Sequence, residues 1–216
     1  MKIVNSDKES LLIYLEKQLD HFFPDGQAGI GIALRSHVDE ALARLEVCIN
    51  AVKMWRQGEF DYLHSSQYAI FLYYLGNTLW RNERNIQLCS KLFYLNKALN
   101  GIDLFYEIEM PDIFFIGHSA GIVLAKAHYS NYLVLYQNST IGKNHGVAPQ
   151  LGEGVIVYPN SAIIGRCHIA DGSVIAQGVS VINQNTPGNC LCFQGLEGEL
   201  LFKSTARNFT EDFFRV

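Results

Sequence analysis

The chain has no long apolar run and no cluster of basic residues. The apolar segment 68–75 ends at Gly76 and is far shorter than the ~18 residues that a membrane-spanning helix requires. The chain has 17 Lys and Arg against 21 Asp and Glu, for a formal net charge of −4. Nucleic-acid binding depends on clustered positive charge, so we expect neither a nucleic-acid partner nor insertion into a membrane.

The sequence also has no apolar signal core near its start and no cysteine framework. Residues 1–7 are polar, which predicts a cytoplasmic location. The five cysteines are odd in number and scattered, as is typical of reduced thiols. Cys190 and Cys192 form a C-x-C pair, but no second pair or nearby His completes a four-ligand set. We therefore predict a structural role for this pair and no metal.

A six-residue period runs through the C-terminal half of the chain. It places an aliphatic residue at every sixth position, and these residues are Leu151, Val157, Ile163, Ile169, Ile175 and Val181. Four positions after each of the first five comes a small or β-branched residue, namely Val155, Ser161, Cys167, Ser173 and Val179. Gly, Asn and Pro between them exclude a helix, whereas hexapeptide repeats are typical of a β-helix with three short strands to a coil. Stacked coils would bury a continuous core.

The same register extends upstream and is interrupted once. Ile141, Leu135, Tyr129 and Val123 continue the period, which weakens at Gly117 and Pro111. The spacing from Ile141 to Leu151 is ten, which predicts a four-residue insertion at 147–150. Binding groups often collect on a loop of this kind, and it carries Lys143, Asn144 and His145.

The sequence of the N-terminal half predicts helices. Ser6 and Glu9 have capping-box spacing before a first helix, and helical periodicity predicts further helices over 36–56, 65–81 and 86–99. The predicted fold class is α+β. A helical domain spans 1–103, a left-handed parallel β-helix spans 104–195, and a tail spans 196–216.

A G-x-S-x-G motif at 117–121 follows an apolar strand and could indicate an α/β-hydrolase. That fold orders its triad Ser, then Asp or Glu, then His. Downstream of Ser119 the only such arrangement is Glu153 followed by His168, and both lie inside the hexad lattice. We therefore do not favour a hydrolase.

Taken together, several segments resemble serine acetyltransferases. The segments are 76–80 (Gly-Asn-Thr-Leu-Trp), 108–111 (Ile-Glu-Met-Pro), 118–123 (His-Ser-Ala-Gly-Ile-Val), 137–142 (Gln-Asn-Ser-Thr-Ile-Gly) and 149–155 (Pro-Gln-Leu-Gly-Glu-Gly-Val). The resemblance covers roughly residues 60–195. It implies a cytoplasmic, acetyl-CoA-dependent O-acetyltransferase that uses no metal and assembles as a homotrimer or a dimer of trimers.

The resemblance also implies roles for individual residues. His118 would be the general base that deprotonates the acceptor hydroxyl, Glu109 the carboxylate that orients its imidazole, and His145 a second catalytic histidine. Acetyl-CoA would lie along Gly142, Lys143, Pro159 and Gln177. Tyr136 and Tyr158 fall on the same column as His118, where they either line the acceptor site or form an aromatic stack.

The chain departs from the family pattern in ways that leave the acceptor open. The family commonly has Asp directly before the catalytic His, where it holds the amino group of serine, and this chain has Gly117. Ala148 precedes Pro149 where the family often has His. The acceptor is either L-serine, in cysteine biosynthesis, or a sugar hydroxyl, in surface-polysaccharide synthesis. A non-catalytic trimeric scaffold is the third alternative.

Overall fold

Four helices form the N-terminal half of the computed structural model, which describes residues 1–27 and 29–216. The helices are α1 (Lys8–Phe22), α2 (Ile30–Ala51), α3 (Ser65–Glu83) and α4 (Ile86–Asn100). A short parallel pair, β1 (Lys2–Ile3) with β2 (Glu59–Phe60), joins the start of the chain to the segment between α2 and α3. The predictions of a helix from about residue 65 and another from about residue 86 are confirmed.

Two details of the helical prediction are wrong. Asp7, rather than Ser6, caps α1, because its Oδ1 accepts a hydrogen bond from the backbone N–H of Ser10 at 2.7 Å. Helix α2 spans Ile30–Ala51 instead of 36–56. It begins immediately after Gly29, which adopts a left-handed conformation, and it ends where Val52 becomes extended and pairs with Phe214.

Short strands make up the rest of the fold. They are β3 (Asp103–Leu104), β4 (Phe114–Ile116), β5 (Val123–Leu124), β6 (His128–Tyr129), β7 (Leu133–Leu135), β8 (Thr140–Gly142), β9 (Gln150–Leu151), β10 (Ile156–Val157), β11 (Ala162–Ile164), β12 (His168–Ile169), β13 (Ser173–Ile175), β14 (Ser180–Ile182), β15 (Cys190–Gln194) and β16 (Leu200–Ser204). They form three faces of a solenoid. A six-stranded sheet has the order β16-β15-β13-β10-β7-β4, a five-stranded sheet β14-β11-β8-β5-β3, and a three-stranded sheet β12-β9-β6.

The predicted hexad register is confirmed over the later coils. Val157 pairs with Ile175, and Ile163 with Val181, each 18 residues further along the chain. All six predicted aliphatic positions from Leu151 to Val181 are fully buried, and so are the companion positions from Val155 to Val179. Three hexads therefore make one coil, and the inward side chains of successive coils stack into one core.

The upstream register differs from the prediction at Val123. That side chain is 44% exposed, whereas Leu124 points inward and pairs with Ile141. The shift arises between β5 and β6, where the inward residues Leu124 and Tyr129 are five positions apart, whereas their equivalents Ile163 and Ile169 are six apart. The connection from β4 to β5 departs in the other direction: it takes six residues (117–122), whereas four residues link β7 to β8, β10 to β11 and β13 to β14. A regular hexad count anticipates neither change.

The last part of the chain folds back on the molecule. Strand β16 pairs antiparallel with β15, and a 3₁₀ turn follows at Phe209–Asp212. The segment 205–216, here called the strap, then returns to the helical half. Lys53 N–H donates to the carbonyl of Phe213 at 2.7 Å, and the ring of Phe214 packs on Tyr132 with centroids 5.4 Å apart. The domain limits at 103 and 195 stay predictions.

Both halves contribute to one continuous hydrophobic core, which includes Leu15, Leu45 and Tyr74 from the helices and Phe114, Val134 and Ile163 from the solenoid. No helix in the described chain combines the length and the apolar content needed to cross a membrane.

Arg215 ties the strap to the end of α2. Its guanidinium donates to the backbone carbonyls of Asn50, Val52, Lys53 and Trp55 at 2.9, 2.5, 3.1 and 2.7 Å. We predict that Arg215→Ala lowers the free energy of unfolding by about 1–2 kcal/mol, because charge-assisted hydrogen bonds to carbonyls are lost. Urea unfolding measures this change.

The matched control for that variant is Arg56→Ala, because Arg56 is 87% exposed and lies 3.8 Å from Glu59. We expect the control to change stability by less than about 0.5 kcal/mol. Equal effects of the two substitutions would contradict a fastening role for Arg215.

Candidate functional site

The long turn between β4 and β5 lifts His118 out of the coil lattice. The ring of His118 is exposed, and the turn beneath it is fastened at several points. Ser119 Oγ donates to the carbonyl of Asn100 at 2.6 Å, and Gly121 N–H donates to the carbonyl of Gly101 at 2.9 Å. Gly121 adopts a left-handed conformation with φ +75°, and a Cβ there would lie 3.3 Å from the Cα of Asn138, so glycine is favoured at this position. The helical half therefore sets the position of His118.

The register of the coils defines what surrounds the His118 turn. Ile116 pairs with Leu135, and Leu135 pairs with Val157, so the residues that follow these strands, Gly117, Tyr136 and Tyr158, form a first column at this corner. A second column is Ala120, Gln137, Pro159 and Gln177, because Asn138 N–H donates to the carbonyl of Ala120 just as Asn160 N–H donates to that of Gln137. His118 lies on the two residues inserted between these columns in the first coil.

The first column is aromatic. The rings of Tyr136 and Tyr158 are stacked with centroids 5.5 Å apart and planes 18° apart, and the imidazole of His118 lies 6.4 Å from the Tyr136 ring. Phe213 of the strap meets Tyr136 edge to face at 6.3 Å. Burial raises the pKa of the Tyr136 hydroxyl, and the neighbouring Tyr158 adds to the rise. Both effects keep this hydroxyl neutral, so the column beside His118 carries no charge.

Gly117 and Tyr136 share one space. A Cβ at position 117 would lie 2.5 Å from Tyr136 Cε1 and 2.8 Å from Cδ1. Because Tyr158 and Phe213 hold the Tyr136 ring, the ring is not free to swing away. A carboxylate side chain at 117 is therefore incompatible with this arrangement.

Glu109 is exposed and lines a cleft at the junction of the two halves together with Arg44, Arg81, Asp112, His128 and Glu153. Within the described chain, no hydrogen bond joins Glu109 to His118. Its assignment as the orienting carboxylate stays a prediction.

His145 lies at a different corner of the solenoid from His118. The β4–β5 turn carries His118, and its equivalent in the next coil is the β7–β8 turn, which precedes β8. The loop 143–149, which carries His145, follows β8. Backbone hydrogen bonds between Asn144 and Val147, at 2.9 and 3.0 Å, close this loop. A pocket there is lined by Asn144, His145, Val147, Arg166 and Asn183. A single chain therefore does not bring the two histidines together.

The predicted coenzyme residues divide between these two corners. Pro159 and Gln177 lie in the second column, at the corner that carries the His118 turn, while Gly142 and Lys143 lie at the end of β8 near the His145 loop. Lys143 and Gln177 are exposed. The sequence analysis missed Arg166, which lines the pocket beside His145.

Two other sequence motifs have structural explanations. Ser119 of the G-x-S-x-G motif uses its hydroxyl to anchor the turn on Asn100, which is not the geometry of an activated nucleophile. Cys190 and Cys192 are buried in the solenoid, and burial raises the pKa of the Cys192 thiol to about 11. In the described residues, no group of three or more His, Cys, Asp or Glu could hold a metal ion.

The fold is that of serine acetyltransferases. The chain matches the crystal structure of serine acetyltransferase from Vibrio cholerae O1 biovar El Tor with a TM-score of 0.70 and 18% identity, covering 96% of this chain and 84% of that one. The enzyme from Brucella abortus in complex with coenzyme A gives 0.69 and 16%, covering 94% and 85%. Soybean serine acetyltransferase in complex with serine gives 0.64 and 19%, covering 91% and 85%.

No protein-family model and no curated protein sequence matches the chain. The likeness in structure nevertheless confirms the predicted fold class, α+β with helices followed by a left-handed parallel β-helix.

The shared space of Gly117 and Tyr136 predicts a non-additive effect on stability. We expect Gly117→Ala to lower the free energy of unfolding by about 1–3 kcal/mol, because the new methyl group overpacks against the tyrosine ring. In a Tyr136→Ala background the same substitution should cost much less, since the obstructing ring is gone. Urea unfolding of the four proteins gives the coupling.

Gly142→Ala is the control, since a Cβ at that position would lie 3.4 Å from Ile164 Cγ1, an ordinary contact. An equal cost of Gly117→Ala in both backgrounds would show that Tyr136 is not the obstruction.

Proposed function

We propose that the protein transfers the acetyl group of acetyl-CoA to a hydroxyl group, with His118 as the general base. The observation that carries this proposal is the position of His118. In a chain with the fold of serine acetyltransferases, it is an exposed imidazole on an enlarged turn of the first coil, beside the aromatic column of Tyr136 and Tyr158. An imidazole suits proton transfer near neutral pH.

In the reaction, a ring nitrogen of His118 takes the proton of the acceptor hydroxyl as that oxygen attacks the thioester carbonyl. The carbon–sulfur bond then breaks, and the departing sulfur receives the proton from the imidazolium. The products are the acetyl ester and free coenzyme A. Backbone N–H groups or the second histidine would stabilise the negative oxygen of the tetrahedral intermediate.

The groove below His118 is the proposed path of acetyl-CoA. Pro159 and Gln177 lie on later coils of the same corner, and Gln177 is exposed. Gly142 and Lys143 lie at the corner of the His145 loop, so they would reach this path from a neighbouring copy, with Lys143 supplying a positive charge for a phosphate group. The coenzyme A complex of the Brucella abortus relative supports this choice of co-substrate.

We also propose that the site is completed by a neighbouring copy of the chain, in a homotrimer or a dimer of trimers in the cytoplasm. His118 and His145 lie at separate corners of one solenoid, with β8 between them. If the His145 corner of one copy packs against the His118 corner of another, the His145 loop comes to lie near the His118 turn. Within a monomer the two histidines stay at separate corners.

The acceptor is L-serine or a sugar hydroxyl. The soybean relative was solved with serine, which favours serine and a place in cysteine biosynthesis. The neutral column of Gly117, Tyr136 and Tyr158 favours the sugar, because an ammonium group is best held by a charged partner, whereas aromatic faces pack against a sugar ring. A scaffold without activity remains the third alternative.

We predict that His118→Gln reduces acetyl-CoA turnover by about 10²–10⁴-fold, the usual contribution of a general base. Release of free coenzyme A is measured with L-serine and with the methyl glycosides of glucose, galactose, mannose and N-acetylglucosamine. His168→Gln is the matched control. His168 is exposed on the three-stranded face, so this variant should keep wild-type turnover.

The outcomes separate the alternatives. Release with serine alone or with a sugar alone identifies the acceptor. No release with any acceptor, combined with no binding of acetyl-CoA by calorimetry, would leave the scaffold. Full activity in His118→Gln would remove His118 from the reaction.

Two further variants test the remaining site predictions. If a neighbouring copy completes the site, His145→Gln should lower turnover. A monomeric variant should then be inactive, and adding His145→Gln to it should cause no further loss of turnover. Glu109→Gln should lower kcat without changing the KM for acetyl-CoA if Glu109 orients His118. Wild-type kinetics for Glu109→Gln would show that its cleft is separate from the reaction.

A further inference from the structure

Strand β16 is a free edge of the six-stranded sheet. It pairs with β15 on one side and is the last strand in the order of that sheet. Within the described chain, the backbone of residues 200–204 makes no backbone hydrogen bond except to β15. An unpaired edge presents a row of N–H and C=O groups that can pair with a strand of another chain.

The alternation of hydrogen bonds along the β15–β16 hairpin shows which groups face the free edge. At the turn of the hairpin, Gly195 N–H donates to the carbonyl of Glu199 at 2.9 Å. At its open end, Thr205 N–H donates to the carbonyl of Asn189, also at 2.9 Å. Because bonded and non-bonded pairs alternate in an antiparallel ladder, the odd-numbered residues of β16 bond to β15. The even-numbered residues direct their backbone groups to the free edge, and these are Leu200, Phe202 and Ser204.

The side chains along this edge are largely apolar and partly exposed. Leu201 and Phe202 are each 39% exposed, and Phe193, which lies opposite Leu201 on β15, is 37% exposed. Since side chains alternate along a strand, Leu201 and Phe193 share one face of the hairpin and Phe202 lies on the other. An exposed apolar edge strand of this kind is a site for pairing with another strand.

The sequence of this edge complements itself in one antiparallel register. When Leu201 lies on a two-fold axis, Leu200 of one copy faces Phe202 of the other. The backbone groups of both residues point outward, so this register also forms the hydrogen bonds of the edge. Glu199 then faces Lys203 once on each side of the axis. Moving the axis to Phe202 places Lys203 opposite Leu201, and moving it to Lys203 places two lysines opposite each other.

The two charged residues of this register are available for pairing. Glu199 and Lys203 are exposed, and neither forms an ion pair in the part of the chain that the structure describes. Glu199 Oε2 accepts a hydrogen bond from the N–H of Glu197 at 3.0 Å, which holds the carboxylate at the hairpin. Opposite charges facing each other across two strands stabilise the pair, whereas like charges destabilise it. The charges therefore favour a second copy of this chain as the partner.

We propose that two copies of the chain join through β16, in an antiparallel pair centred on Leu201. The six-stranded sheets of the two solenoids then continue into each other. A contact of this kind uses the same surface of both copies and closes on itself, so it leaves no further free edge at β16. If the solenoids assemble as trimers, the same contact produces the dimer of trimers.

The first experiment reverses one charge at a time and measures the assembled mass by sedimentation equilibrium. Lys203→Glu and Glu199→Lys each place like charges opposite each other on both sides of the axis. We expect each variant to associate about tenfold more weakly, with a mass approaching half that of the wild type at low concentration. An equal mixture of the two variants should restore the wild-type mass, because every facing pair in a mixed dimer has opposite charges.

Lys17→Glu is the matched control, since it makes the same change of charge at an exposed position of α1. This variant should keep the wild-type mass. Equal masses for the wild type and Lys203→Glu would overturn the proposal, and so would a mixture of the two hairpin variants that does not associate.

A second experiment tests the backbone contact. Phe202→Pro removes an N–H that points to the free edge, where proline is tolerated because the hydrogen bonds to β15 are kept. Phe202→Ala removes the same ring and keeps the N–H. We expect the proline variant to associate about tenfold more weakly than the alanine variant, because two backbone hydrogen bonds across the axis are lost. Equal association of these two variants would exclude pairing through β16.

These outcomes are independent of the proposed function, because the mass is measured without acetyl-CoA or an acceptor. A protein that pairs but shows no turnover would retain this inference and lose the proposed function. A protein that turns over acetyl-CoA with the mass of the unpaired variants would do the reverse.

Discussion

Parallel pairing at a constant register between successive coils is the constraint on which the rest of this structure depends. Because Val157 pairs with Ile175 and Ile163 with Val181, every inward side chain stacks on its equivalent one coil away. The same pairing arranges the residues after each strand into columns at the corners. Extra residues in a connection therefore place a side chain outside these columns. The enlarged turn at 117–122 does so for His118, and the loop at 143–149 does so for His145.

The chemistry of the corner follows from which side chains the columns hold. Gly117 leaves room for the Tyr136 ring, and Tyr158 and Phe213 keep that ring in place. The result is a neutral aromatic wall on one side of His118. The strap takes part in this wall through Phe213, and Arg215 fastens the strap to the end of α2. The helical half thus supports the site from two directions, through the strap and through the Asn100–Ser119 hydrogen bond.

Much of the fold could be predicted from the sequence, because a hexad period has one efficient packing solution. The buried aliphatic positions from Leu151 to Val181 followed from spacing alone, as did the start of α3 at Ser65. The start of α2 did not, since it depends on the backbone of Gly29. The inward residue Leu124 was missed because it lies five residues before Tyr129, one fewer than the period of six.

The candidate site was less accessible to sequence reasoning. His118 could be named from its resemblance to a known family, but the position of Glu109 in the cleft at the junction depends on how the helical half meets the first coil. That the Tyr136 ring occupies the space of a side chain at position 117 could be seen only in the three-dimensional structure.

The account rests on the claim that coenzyme A binds along the corner formed by the His118 turn, Pro159 and Gln177, and a crystal structure with bound coenzyme A tests that claim most directly. We expect the coenzyme to run past Pro159 and Gln177 with its sulfur within about 4 Å of the His118 ring, close enough for proton transfer once an acceptor binds. Coenzyme A bound away from this corner, with His118 facing solvent, would contradict the account.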